Sequence, residues 1–279
     1  MRVVVADSAG FCPGVERALS LTLEAVQSAP KPIRTLGPLI HNPSVVADLE
    51  AKGVGVVEKG TGLSDGTIIL RSHGVPRTVR EELHSSGMNV VDATCPFVTS
   101  AQEKAGRLAS DGYYVVILGD RDHPEVMALR SYAGERSLLV ESADELPDSL
   151  PTTRIGVVVQ TTQSADRLRD LVARLVPFAR ELLVHNTICN ATELRQNAAL
   201  SMARAVDAVV VVGGRASGNT RRLAELCALE QPNTHHVESA AELRSSWFQG
   251  CEVVGVTAGA STPAEQIDEV VAALREINP

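Results

Sequence analysis

The sequence predicts an α/β protein of three similar small lobes with mainly parallel sheets around a pseudo-threefold axis, and a site at the centre. Three observations carry this. A strand–turn–Cys–helix pattern recurs three times at near-equal spacing. Apolar residues fall in short Val/Ile/Leu runs, as strands buried on both faces require. Of 279 residues, 44% are apolar but only 3% aromatic, so the core must be aliphatic, which suits layered sheet-and-helix packing. A chain of this length buries roughly three-quarters of its unfolded surface, so core size is not limiting.

The recurring pattern opens with VVVADSAGFCPGVERALSLTLEAV, then NVVDATCPFVTSAQEKAGRLA, then ELLVHNTICNATELRQNAALSMA. Their cysteines, Cys12, Cys95 and Cys189, stand 83 and 94 residues apart, and 90 residues follow the last. Spacing of this kind marks a structural repeat. A second strand follows each helix and breaks into a polar loop: TLGPLIHNPSVV, YYVVILGDRDHPEV and DAVVVVGGRASGNTRRLAELC. A third ends in another polar loop: GTIILRSHGV, IGVVVQTTQS and EVVGVTAGAST. Polar residues at the strand ends read Cys12/His41/His73, Cys95/His123 (with Glu125)/Thr161 and Cys189/Ser217 (with Asn219)/Ser261. The first interval is 29, 28 and 28 residues, and the second grows from 32 to 38 to 44. Strands alternating with helical patterns indicate βαβ units. The expected lobes are 12–95, 96–188 and 189–279, with the strand in residues 1–11 a candidate member of lobe 3. Ligands of open α/β sheets bind beyond the carboxyl ends of the strands, and every residue named above sits at such an end.

Several classes drop out. A net charge of −8 and eight aromatic residues make a poor nucleic-acid surface, which needs Lys/Arg patches. No apolar stretch approaches the ~20 residues that span a bilayer. The opening Met-Arg-Val-Val-Val-Ala-Asp lacks the apolar stretch and cleavage site of a signal peptide. Five cysteines, an odd number without close pairs, argue against a disulfide framework and for a reducing compartment. A soluble cytoplasmic protein without nucleic-acid or membrane partners is expected.

Cys227, inside a helical pattern, and Cys251, opening a strand, read as core residues. Cys12, Cys95 and Cys189 do not, because all three occupy the same strand-to-helix position. Three thiolates leave a metal centre one ligand short. That fits a catalytic zinc, or an iron–sulfur cube with one iron open to act as a Lewis acid, and spacing alone does not separate the two. Thiolates at helix N-termini are favoured in either case by the macrodipole. His41, His73, His123, Thr161, Ser217, Asn219 and Ser261 offer hydrogen-bond donors to an anion, and glycines of the third lobe let backbone approach phosphate oxygens. No nucleotide-binding loop is present, so a diphosphate fits better. Glu125 is the one acid placed in this pocket, where it could pass a proton. His84, His185, His235 and His236 fall outside these positions and read as structural.

The segments FCPGVERA, LGPLIHNPSVV, RSHGV, VDATCPFV, GDRDHPEV, QTTQS, TICNATELRQ, SGNTRRL and TAGAST, in that order, closely resemble the LytB/IspH family of 4-hydroxy-3-methylbut-2-enyl diphosphate reductases. The resemblance spans about residues 10–262 and implies one 4Fe–4S cluster per chain, held by Cys12, Cys95 and Cys189 with one open iron. It implies that His41, His73, His123, Ser217, Gly218, Asn219 and Ser261 bind the diphosphate, and that Glu125, helped by Thr161, protonates the leaving hydroxyl. Two electrons and two protons would then give isopentenyl and dimethylallyl diphosphate in the last step of the non-mevalonate isoprenoid pathway. Ferredoxin or flavodoxin is the implied electron donor; a chain of charge −8 needs a local basic patch to dock one, and the Arg215/Arg221/Arg222 cluster is a candidate that reads first as an ordinary solvated surface. Two departures touch phosphate contacts only. Gly218 stands where many members carry a second serine, and Ala216 where Asn is common. A non-catalytic iron–sulfur sensor on the same scaffold, and a zinc hydrolase, are the competing readings.

Overall fold

The computed structural model describes residues 1–60, 62, 63 and 65–277; the last two residues of the expected third lobe, and two positions within the first, lie outside them. Three sheets form, all of their strand pairs parallel. The described chain groups into two compact units. One comprises residues 1–15, 41–45 and 190 onward, and holds a single sheet. Its strands are β1 (Arg2–Val5), β10 (Ala208–Val212), β11 (Thr234–Val237) and β12 (Val253–Ala258), in the order β1-β12-β10-β11. The N-terminal strand therefore pairs with β12, Arg2 opposite Val253.

The other unit, residues 16–40 and 46–189, holds two sheets. The first orders β2 (Ile33–Leu36), β3 (Val54–Val57), β4 (Thr67–Leu70) and β5 (Asn89–Asp92) as β3-β2-β4-β5. The second orders β6 (Tyr114–Leu118), β7 (Ser137–Val140), β8 (Arg154–Val159) and β9 (Glu181–Val184) as β7-β6-β8-β9. Each sheet thus has one topology: two central strands, an edge strand beside the first, and beside the second an edge strand that runs into a cysteine.

Burial follows the apolar runs. In β4, β8, β10 and β12 nearly every residue is buried, on both faces of its sheet. Val116, Leu118, Val157 and Val159 pack with Leu168, Leu171 and Leu175 of α6 (Ala165–Leu175) on one face. On the opposite face Val115, Ile117 and Val158 pack with α4 (Pro96–Ser110) and α5 (Pro124–Ala133). Sequence reading missed the outer strands β3, β7 and β11. Each is four residues long and partly exposed, and a half-wet tetrapeptide carries too little periodicity to separate from loop.

Three sets of backbone bonds place the polar loops in a common register. The N–H groups of Gly37, Gly119 and Gly213 donate to Val57, Val140 and Val237 O. Past the third strand, those of Gly74, Gln163 and Thr262 close turns onto Arg71, Gln160 and Gly259 O. Those of Cys95, Cys189 and Cys12 donate to Ser72, Thr161 and Ala260 O at 3.0, 3.0 and 3.2 Å. This register corrects one alignment in the sequence reading. Thr161 is the counterpart of Ser72 and Ala260, whereas His73 and Ser261 correspond to Thr162. The two adjacent threonines of the QTTQS segment made that one-residue offset invisible to pattern matching.

Candidate active site

In the larger unit, Cys95 is the N-cap of α4, with extended backbone and Pro96 at the first helical position. Proline there forfeits no intrahelical bond and has the right φ. Arg17, on α1 (Pro13–Ser28), donates from Nη1 to the carbonyl of Thr94 at 3.1 Å, anchoring the residue before Cys95. Ser72, whose carbonyl receives the Cys95 N–H, is itself fixed by Oγ donating to Leu39 O at 2.9 Å. Cys189 immediately precedes α7 (Asn190–Ala203). Both thiols are half-buried.

His123 is the N-cap of α5, and its Nδ1 accepts the Glu125 N–H at 3.2 Å. That bond requires Nδ1 to be unprotonated, which puts the ring proton of neutral His123 on Nε2, a donor suited to an anion. The His73 ring meets it edge-on, centroids 5.2 Å apart. Glu125, only 1% exposed, is gripped by one residue: Thr161 N–H donates to Oε1 at 2.6 Å and Thr161 Oγ1 to Oε2 at 2.9 Å. Burial pushes the Glu125 carboxyl up to about 7, and the charge of Asp120 acts in the same direction against the two Thr161 bonds. A buried carboxyl that gains and loses its proton near neutrality is suited to general acid catalysis.

In the other unit, Cys12 precedes α1 and is half-buried. Arg195 of α7, itself buried, donates from Nη2 to Gly10 O at 2.7 Å. Asn42 caps α2 (Pro43–Ala51) through Oδ1, accepting from Ser44 and Val45 N–H at 3.1 and 3.3 Å. His41 stands just before it, its carbonyl accepting from Ser261 Oγ at 3.2 Å. Ser217 caps α8 (Gly218–Glu230), accepting from Thr220 N–H at 3.3 Å. A side chain on Gly214 would bring Cβ within 2.5 Å of His41 O, so this loop closes only with glycine there. Asn219 is 3% exposed, and neither its amide N nor its O has a partner among the described residues. Leaving a buried amide unsatisfied costs about 1–3 kcal/mol, a cost that a bound polar ligand would remove.

The larger unit therefore brings His73, His123, Glu125 and Thr161 into direct or shared contact, with Thr161 bonded onward to Cys189. The smaller unit places Cys12, Ser217, Gly218, Asn219 and Ser261 past the carboxyl ends of its own strands, with the His41 carbonyl held by Ser261. Cys227 and Cys251 are buried, and burial pushes their thiols up, Cys227 to about 11. They are core residues as expected, in environments hostile to thiolate. Arg17, Arg195, Ser72, Asp120, Gln160 and Gln163 support the site but were not singled out by sequence. Several lie inside quoted motifs, yet nothing in a sequence distinguishes a backbone clamp from a surface side chain.

A family model described as LytB protein matches residues 3–275. A Trichlorobacter lovleyi protein named 4-hydroxy-3-methylbut-2-enyl diphosphate reductase is 49% identical over 278 residues, covering 100% of this chain and 99% of that relative. A protein of the same name from Geobacter sulfurreducens is 48% identical, with 100% and 98% covered. Among solved structures, one titled as (E)-4-hydroxy-3-methyl-but-2-enyl diphosphate reductase, the terminal enzyme of the non-mevalonate pathway, is 40% identical. It superposes with a TM-score of 0.71 over 99% of this chain and all of that one. The E-1-hydroxy-2-methyl-but-2-enyl-4-diphosphate reductase from Plasmodium falciparum is 27% identical, with a TM-score of 0.89 over 100% of this chain and 88% of that one.

Proposed function

The chain belongs to the LytB family, and on that premise we propose how its residues carry out the family's reaction. The protein is an oxidoreductase: it reductively dehydroxylates (E)-4-hydroxy-3-methylbut-2-enyl diphosphate to isopentenyl and dimethylallyl diphosphate, consuming two electrons and two protons and releasing water. The observation that carries the mechanism is Glu125, a buried carboxyl with a raised proton affinity, locked onto Thr161.

The thiols of Cys12, Cys95 and Cys189 fit an iron–sulfur cluster. All three are outside any disulfide among the described residues, half-buried and set before the first turn of a helix, where the positive end of the dipole favours thiolate. When bound, a 4Fe–4S cluster supplies electrons singly and Lewis acidity at the iron without a thiolate. Glu125 donates one proton to the departing hydroxyl, which leaves as water, and the other proton ends on carbon. Thr161 fixes both carboxyl oxygens, so the proton is presented from one orientation rather than averaged over rotamers. The diphosphate is held by His41, His73, His123, Ser217, Asn219 and Ser261, with the Gly218 N–H at the start of α8 in place of the second serine. Helix N-termini and imidazole donors suit such an anion.

The lobe boundaries at residues 95 and 188 belong to the same reading, as do a cytoplasmic setting and a ferredoxin or flavodoxin donor. No helix among the described residues is long and apolar enough to cross a membrane. The arginine cluster is a weak docking patch, because Arg215 pairs with Glu238 and Glu242, and Arg222 is buried against Glu225. The sensor reading finds no support among the relatives.

Anaerobically purified protein with a low-potential one-electron dye should convert the hydroxylated diphosphate to both isomers. Cluster-loaded protein yielding neither would overturn the proposal. Asn219→Ala should raise KM for this substrate about tenfold or more, the range for losing a hydrogen bond to a charged group, with a smaller effect on kcat. An unchanged KM would remove Asn219 from the diphosphate site.

A further inference from the structure

We propose that Asp120 and Gln163 form a polar clamp between the two loops that carry Glu125 and Thr161, and that they are positioning residues for the proton donor. The inference rests on the reductase reading for its kinetic consequences. The loop after β6 carries Asp120, His123 and Glu125, and the loop after β8 carries Gln160, Thr161 and Gln163. Gln163 Nε2 donates to Asp120 Oδ1 at 3.0 Å, and the Asp120 N–H donates to Gln160 Oε1 at 2.8 Å. The Gln160 N–H donates back to Leu118 O at 2.8 Å, and the His123 N–H to Asp120 O at 3.0 Å. Gln160 and Gln163 are 0% and 1% exposed and Asp120 is half-buried, so these bonds are partly shielded from competing water and hold the loops at one separation. Gly119 permits the approach: a Cβ there would stand 2.9 Å from Gln160 Cβ and 2.5 Å from Val126.

The protein supplies its own internal comparison. In the common register, Asp120 corresponds to Pro38 and Gly214, and Gln163 to Gly74 and Thr262. Neither counterpart pair can make the Asp–Gln side-chain bond, yet in the third sheet Gly259 N–H still donates to Val212 O and Ser217 N–H to Gly214 O, the counterparts of the Gln160 and His123 bonds. The fold therefore does not require the clamp. It occurs in the one lobe whose loops hold a buried acid. Asp120 acts on Glu125 by charge as well as through the loop, since a neighbouring anion disfavours the carboxylate. The other titratable groups facing this region are His123, which caps the same helix, and His73, against the His123 ring. The β8 loop faces it with uncharged Gln160, Thr161 and Gln163.

The test is the infrared band of the protonated Glu125 carboxyl, assigned by its loss in Glu125→Gln and followed against pH in the full-length, cluster-containing protein. Asp120→Asn keeps an acceptor for Gln163 and removes the charge. The Glu125 midpoint should fall by about half a pH unit or more, and the alkaline limb of kcat should move down with it. Gln163→Leu breaks the bond and keeps the volume. It should lower kcat about tenfold at every pH, the scale of a small misplacement, with KM unchanged. Gln163→Leu with kcat equal to the parent at every pH, whatever its thermal stability, would overturn the clamp, and an Asp120→Asn midpoint equal to the parent would remove the charge effect of Asp120. Parent protein that turns nothing over while the Glu125 carboxyl band of Gln163→Leu moves or broadens would sink the reductase reading and uphold the clamp.

Discussion

Replacing Cys95 with serine is expected to remove most of the iron and sulfide from the protein and reduce turnover below one-hundredth of the parent value. Serine is nearly isosteric, and the backbone bond from residue 95 to Ser72 O does not involve the thiol, so the fold should survive. What is lost is one of the three soft thiolates, the ligand type iron prefers, that the proposed cluster depends on. Cys227→Ser is the control. Cys227 is fully buried in a helix and its thiol is pushed up, so that variant should keep iron and sulfide at parent levels. Full cluster content in Cys95→Ser would contradict the three-thiol assignment.

Glu125→Gln should keep the cluster and bind the diphosphate with KM within a few-fold of parent, yet lose about 10²–10⁴-fold in kcat, the usual worth of a general acid. The amide can still accept the Thr161 N–H, so the geometry of the pair is preserved. On the proposed role of Glu125, the protonated form is the active one in the parent. Its carboxyl lies at about 7, raised by burial above the usual 4.5. Activity should therefore be full on the acid side and fall as pH rises through that value, the sign expected for a required acid. A Glu125→Gln variant with more than half the parent kcat, or a parent profile that rises through pH 7, would remove Glu125 from its role.

The threefold pattern was legible because Cys12, Cys95 and Cys189 and the apolar strands before them recur without internal symmetry having eroded. The central strands could be read from runs such as VVVV at residues 209–212 and VVV at 157–159. Their four-residue outer neighbours could not. At the site, residue types with few bland alternatives stood out: thiols at helix starts, histidines at strand ends, an acid beside a proline. Support residues did not. Arg195 reaches the carbonyl of Gly10, 185 positions away, and Gln163 meets Asp120 across 43. Such contacts are set by how strands are ordered in a sheet, and one sequence without that order gives no reason to pair them. The offset between Thr161 and Thr162 has the same origin, since only the backbone bond from Cys189 identifies which threonine occupies the position of Ser72.

The central claim is that three thiols hold an iron–sulfur cluster that this protein uses in reduction. Iron, acid-labile sulfide and zinc, counted per chain on protein purified without oxygen, test it most directly. Iron and sulfide in equal amounts, approaching four of each, are the expected result for a cubic cluster. Zinc at one per chain with no sulfide would contradict it.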